Sequence, residues 1–104
     1  MAQFDIHSNP NRKGGDLVPY VMDIQADCLH GLPTRILVPL ARPGPGVMPT
    51  RHLNPVVEVN GEALVMLTDQ LSAIPAKILA PPVASLAARR HDMIAALDFL
   101  FTGI

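Results

Sequence analysis

The stretch from Val83 to Ile104, VASLAARRHDMIAALDFLFTGI, decides how the rest of the chain is read. Its periodicity predicts one helix from Leu86 to Phe101, with Leu86, Met93, Ile94, Leu97 and Phe101 on one face. Ala95, Ala96, Phe99 and Leu100 carry the apolar character around the cylinder. Polar groups gather at Arg89 to Asp92, which leaves Asp98 as the only charge in the second half. A helix wet along one side is not written this way. The second half is therefore expected to pack against its own sheet and also against another surface. Ser85 is the candidate N-cap, but no capping-box acid follows at Leu86 to Ala88, so the start is open by about a turn. The closing Thr102-Gly103-Ile104 ends on an apolar side chain. Chain ends are usually disposable; this one reads as held.

Outward from the helix, Pro81-Pro82 separate it from the preceding sheet, and Ala76 to Leu79, bounded by Pro75 and Pro81, is expected to be a short strand. Val56 to Val59 and Ala63 to Thr68 flank Asn60-Gly61, the strongest hairpin signal in the chain. Ala41 to Asn54 holds Pro43, Gly44, Pro45, Gly46 and Pro49 and reads as a long loop. Arg35 to Leu40 is an aliphatic, buried strand. Pro39 cannot donate to a ladder and is expected at an edge, a bulge or a strand end. Gly31 and Pro33 turn the chain between Asp27 and Thr34. Tyr20 to Gln25 alternates as a strand, with Tyr20, Met22 and Ile24 on one side and Val21, Asp23 and Gln25 on the other. Asn9 to Asp16 is a loop on turn chemistry, and Gln3 to His7 is a first strand with half its surface wet. Some six short strands followed by one helix make a single mainly β domain over residues 1–104, an antiparallel sheet or partly open barrel with a C-terminal helix.

Composition sets further bounds. Hydrophobic residues make up 49% of the 104 and charged residues 16%, which is apolar for so small a domain. With no Trp, one Tyr and three Phe, the core must be aliphatic. The apolar excess has two readings: a large buried interface, or an Ala/Val/Leu-rich core. Net charge is −1 and the eight Lys and Arg are scattered, so no basic stripe indicates affinity for nucleic acid backbone. The single Cys28 excludes an internal disulfide and fits a reducing compartment. MAQFDIHSN has neither a basic start nor an apolar h-region, and no apolar run approaches a membrane span. A cytoplasmic protein with no membrane partner is expected.

Residues that could carry chemistry are few. His7, His30, His52 and His91 lie far apart, none at helical zinc spacing, so no metal is expected. Cys28 and His30 could form a thiolate–imidazole pair, or be a small thiol beside a surface His. Arg89, Arg90, His91 and Asp92 could form an acid–base cluster for cleaving phosphodiesters, or be the solvated first turns of a helix. Gly44-Pro45-Gly46 is broken by proline and followed by no P-loop Lys-Ser/Thr. No catalytic residue and no cofactor are assigned; the chain reads as a binding surface.

The chain resembles the CcdB family, the toxins of bacterial ccd toxin–antitoxin systems. The resemblance is carried end to end by Gln3-Phe4, Asp23-Ile24-Gln25-Ala26-Asp27, Arg35-Ile-Leu-Val-Pro-Leu40, Leu53-Asn54-Pro55-Val56, Met66-Leu67-Thr68, Ile74-Pro75-Ala76 and the terminal Ala96 to Ile104. Each motif is weak alone; their collinearity is strong. The resemblance implies an SH3-like, partly open antiparallel barrel with a C-terminal helix, shared with the Kid/MazF ribonuclease toxins, and a two-fold homodimer. It implies binding to the DNA gyrase A subunit, trapping the enzyme on cleaved DNA, and neutralisation by a CcdA-like antitoxin. Contact with DNA would then be indirect, through the antitoxin complex.

Carried over by position, the gyrase-binding set is Thr102, Gly103, Ile104, Asp98, Gln3, Phe4, Cys28 and Leu29, with His7 and Ala26 at further family contact positions. Thr102 departs from the family's best-known pattern, which has Trp, and offers far less apolar area than that anchor. Asp98 adds a charge where the family is neutral. The helix's apolar second half suits a dimer interface through Met93, Leu97, Phe101 and Ile104. The two loops, at Asn9 and Arg12 and at Arg42, Val47 and Arg51, are expected to receive the disordered antitoxin. If the chain were instead an endoribonuclease of the Kid/MazF kind, Arg89, His91 and Asp92 would be its compact set.

Overall fold

Strand β3 (Thr34–Ala41) is the spine on which three other strands hang. The computed structural model describes residues 2–11 and 16–104. Around β3 lie β1 (Asp5–Ser8), β2 (Tyr20–Asp23), β4 (Val56–Val59), β5 (Glu62–Met66), β6 (Ser72–Pro75) and β7 (Ala84–Ser85), followed by α1 (Arg90–Thr102). All pairings are antiparallel, in the order β4-β5-β3-β2-β1-β7, with β6 paired to β3 off that path. The path ends at β4 and β7. Just beyond β7, Arg89 Nη1 donates to the Val56 carbonyl at 2.9 Å, so a side chain bridges the two ends. The result is a nearly closed, barrel-like sheet with one C-terminal helix.

Pro39 sits inside β3, opposite Val21, and not at an edge or strand end. On its other side β3 pairs with β6 as far as Leu37 and with β5 from Leu40. The Pro39 carbonyl accepts from the Leu67 N–H at 3.0 Å on that side. A strand residue's N–H and C=O point the same way, so the missing donor falls in the gap where β3 changes partner. The Asn60-Gly61 hairpin forms as the sequence indicates: Val59 pairs with Glu62, and both turn residues have positive φ, 51° and 84°.

The strand expected at 76–79 is a 3-10 turn, Ala76–Ile78, and the strand lies just before it as β6. As an edge strand with mostly exposed side chains, β6 has no apolar alternation to announce it. The helix also begins later than its periodicity suggests. The Leu86 N–H is committed to the Phe4 carbonyl at 2.9 Å, continuing the path of β7. A 3-10 turn, Ala87–Arg89, intervenes before α1. Ser85 Oγ accepts from the Ala87 N–H at 3.2 Å, serving that turn and not the α-helix.

The core is aliphatic apart from Phe4: Ile6, Met22, Val38, Leu40, Val57 and Leu64 are among its buried residues, closed by Leu86, Met93 and Ala96 from the C-terminal segment. The first strand is not half wet. His7, on the face opposite Ile6, is fully buried, because the chain around Ala80 covers it: Nδ1 lies 2.7 Å from the Ala80 carbonyl. A carbonyl only accepts, so Nδ1 carries the proton. The same face buries Val21, Leu37 and an ion pair, Arg35–Asp23, at 2.7 Å. Asp23 also accepts from the Gln25 N–H, and Gln25 Oε1 accepts from the Ile36 N–H, which ties β2 to β3 beyond the end of their ladder. Among the described residues, no helix is long and apolar enough to cross a membrane.

Candidate functional site at the two ends of the C-terminal helix

Met93 and Ala96 point α1 into the core, and beyond Ala96 no residue of the helix is fully buried. Leu97, Phe99 and Leu100 are half-buried, Asp98 is exposed, and Phe101 is 71% exposed. The helix stops at Gly103, whose φ of 77° is the left-handed conformation of a C-cap, and whose N–H donates to the Phe99 carbonyl at 2.9 Å. Thr102 Oγ1 donates to the Asp98 carbonyl at 2.7 Å, so its hydroxyl is turned back onto the helix. Ile104 then projects with 93% of its surface free. A large apolar side chain so exposed, beside Phe101, marks a contact surface.

Behind this end lies a braced turn. Thr50 and Asn54 exchange main-chain hydrogen bonds at 3.2 Å, and Thr50 Oγ1 donates to Asn54 Oδ1 at 2.7 Å. Asn54 Nδ2 reaches the Met66 carbonyl and Asp69 Oδ1, and Thr68 Oγ1 donates to the Leu53 carbonyl. Between them, His52 at φ 73° places its imidazole 5.4 Å from the Phe99 ring.

Gln3, Phe4, Cys28 and Leu29 are brought together at the other end of α1. The Gln3 N–H donates to Asp27 Oδ1 at 2.7 Å, and its side-chain amide donates to the Ile24 carbonyl at 3.2 Å. Asp27, Cys28 and Leu29 form a 3-10 turn with Cys28 and Leu29 exposed. Phe4 has a φ of 70°, a costly conformation for a bulky residue. It is held there by its N–H to the Asp23 carbonyl, its carbonyl to the Leu86 N–H, and a ring buried in the core. Phe4 is thus a supporting residue and not a surface contact, while Gln3 is half-buried. Arg90 Nη1 donates to Gln3 Oε1 at 2.8 Å and its guanidinium lies 5.8 Å from the Phe4 ring. Arg90 lies far from Gln3 in the sequence, and only the fold brings the two together. The two patches are about 18 Å apart along α1 at 1.5 Å per residue, so the residues expected to meet gyrase form two groups on one chain. Ala26 is exposed beside Asp27, whereas His7 is fully buried.

Of the four residues expected at a dimer interface, Met93 belongs to the chain's own core. Leu97, Phe101 and Ile104 remain available. Of those expected to receive an antitoxin, Arg12 lies outside the described residues. Asn9 is spent on its own loop, with Nδ2 to the Val18 carbonyl and Oδ1 accepting from the Asn11 N–H. Arg42 is forked onto Glu62 at 2.5 Å and onto the Asp16 carbonyl, and its N–H meets the Leu17 carbonyl, so the two loops touch. The hydrogen bond to Glu62 leads in pushing the Arg42 pKa above its usual value, opposed by desolvation. Val47 closes a tight turn with Gly44, and Arg51 is exposed. Between the first loop and β6 lies a cavity of about 290 Å³ walled by Val18, Val21, Leu37, Pro39 and Ile74.

The cluster suited to cleaving phosphodiesters is drawn into structure. Arg89 binds Asp92 Oδ2 through Nε and Nη2, at 3.1 and 3.0 Å, while Nη1 holds Val56 across the seam. Its guanidinium thus serves both the helix and the barrel seam, and His91 is exposed beside it.

The barrel-like sheet and the single C-terminal helix agree with the family comparison, in which the model for CcdB protein matches residues 3–103. The chain belongs to the CcdB family, and is a toxin of the ccd type.

Proposed function

We propose that this toxin acts by binding, as a two-fold homodimer that engages the DNA gyrase A subunit, traps the enzyme on cleaved DNA and is neutralised by a CcdA-like antitoxin. The observation that carries this reading is the end of α1: a left-handed Gly103 cap beyond which Ile104 stands 93% exposed, next to an exposed Phe101. After Ala96 the large apolar side chains of the helix are half-buried at Leu97, Phe99 and Leu100 and exposed at Phe101. Two copies overlapping only through their last turns would bury Leu97 and Phe101 and set both Gly103-Ile104 tails side by side. Such a pair suits a partner that is itself two-fold. With the Thr102 hydroxyl bonded back to the Asp98 carbonyl, the large apolar side chains at the tail are Phe101 and Ile104. The Gln3 and Cys28–Leu29 patches would flank that centre on each protomer.

Purified protein mixed with gyrase, ATP and supercoiled plasmid should yield linear DNA after detergent and protease treatment; unchanged plasmid at micromolar protein counts against the reading. Removing Gly103-Ile104 should abolish this effect while circular dichroism still shows the folded chain and melting falls only slightly, because the pair contributes a helix cap but nothing to the core. Poisoning by the truncated chain at undiminished potency would remove the tail from the assignment.

A further inference from the structure

We infer that His52 is a positioning residue for the C-terminal tail: its imidazole, aimed by a left-handed main chain, holds Phe99 and through it the capped last turn of α1. The inference rests on the reading that Gly103-Ile104 meets gyrase.

Three non-glycine residues in the described chain have positive φ: Phe4, His52 and Asn60. Asn60 is accounted for by the hairpin turn, and Phe4 by its buried ring and main-chain bonds. His52 is exposed, so no burial explains its conformation. What its conformation achieves is the contact with Phe99, at 5.4 Å between ring centroids and 41° between planes, within the range of aromatic pairs. The turn that imposes the conformation is braced on both sides, by the Thr50–Asn54 bonds and by Thr68 Oγ1 on the Leu53 carbonyl at 2.5 Å. It is therefore a firm base for a side chain to push from.

Phe99 is where that push matters. Its carbonyl accepts the Gly103 N–H, the bond that turns the chain out of the helix and sets the direction of Ile104. After Ala96 no side chain of α1 is fully buried, so this end of the helix is held by half-buried contacts, of which His52–Phe99 is one. A histidine that merely occupied a turn would be replaceable by glycine with no effect on the tail, since glycine takes positive φ without a steric penalty.

The test is a double-mutant cycle of His52→Gly and Phe99→Leu, read by amide hydrogen exchange and, separately, by titration of gyrase cleavage. Each single variant should speed exchange at the Gly103 amide by about three- to tenfold, the range of one aromatic pair. The double variant should be no faster than the faster single, and the amides of β3 and β5 should be unchanged. The concentration giving half-maximal plasmid linearisation should rise in step with exchange. Unchanged Gly103 exchange in His52→Gly, or effects that simply add in the double variant, would overturn the positioning role. If the unmutated protein linearises no plasmid, the gyrase reading fails, and the exchange cycle still decides the role of His52.

Discussion

Asp23 and Arg35 lie 2.7 Å apart with side chains 0% and 2% exposed, on a sheet face that the strand pattern alone leaves open to water. Alternation correctly puts Asp23 with Val21 and Gln25, opposite Met22. It does not show that the chain around Ala80 and the neighbouring strands cover that face. The same blindness affects His7, which is fully buried and whose Nε2 has no hydrogen-bond partner among the described residues. A buried pair is costly to break because the remaining charge has no water to turn to. Asp23→Ala should therefore lower unfolding free energy by about 3–5 kcal/mol, measured by urea denaturation. Replacing both partners together, as Asp23→Leu with Arg35→Met, should cost distinctly less than the single change. A loss for Asp23→Ala below about 0.5 kcal/mol, the scale of surface sites, would mean the pair is not buried in solution.

At the scale of elements, the C-terminal helix was legible in its existence and end but not in its start or its inward face. Period alone gave a broad apolar surface from Leu86 to Phe101; the fold divides it, with Met93 and Ala96 inward, Leu97, Phe99 and Leu100 half-buried and Phe101 exposed. Met93→Ala should cost about 2–5 kcal/mol, as large-to-small changes in a core do. Leu97→Ala should cost clearly less at protein concentrations where the chain is monomeric, with the gap narrowing where a partner covers Leu97. Equal losses at high dilution would mean that Leu97 is as much core as Met93. The strands divide similarly. β3 and the β4–β5 hairpin declare themselves through an aliphatic run and Asn60-Gly61, whereas β6 and β7 owe their pairing to what they meet and carry no pattern of their own. Pro39 stands in a central strand because two partners share one side of β3, a tertiary arrangement no local signal encodes.

For the whole molecule, the sequence left open whether the apolar excess serves a core or an interface. Much of it fills the aliphatic barrel, and some stays exposed as large side chains, Phe101 and Ile104 among them. Phe101→Glu should leave the melting behaviour of the dilute protein unchanged and shift sedimentation toward the monomer at concentrations where the unmutated chain dimerises. A dimer of undiminished affinity would move the interface elsewhere.

The Arg89 clasp has a consequence for solubility. β4 has a strand neighbour on one side only, so its other side offers main-chain groups to any passing strand. There Arg89 occupies the Val56 carbonyl, and Glu58 sets an exposed carboxylate beside it. A second chain adding itself at this edge would have to displace a guanidinium and bring Glu58 against its own copy. Arg89, which bridges the two ends of the sheet, and Glu58 beside it thus guard this edge against strand-on-strand addition. Arg89→Ala combined with Glu58→Val should release that protection, visible as light scattering that grows with concentration while the unmutated protein stays clear.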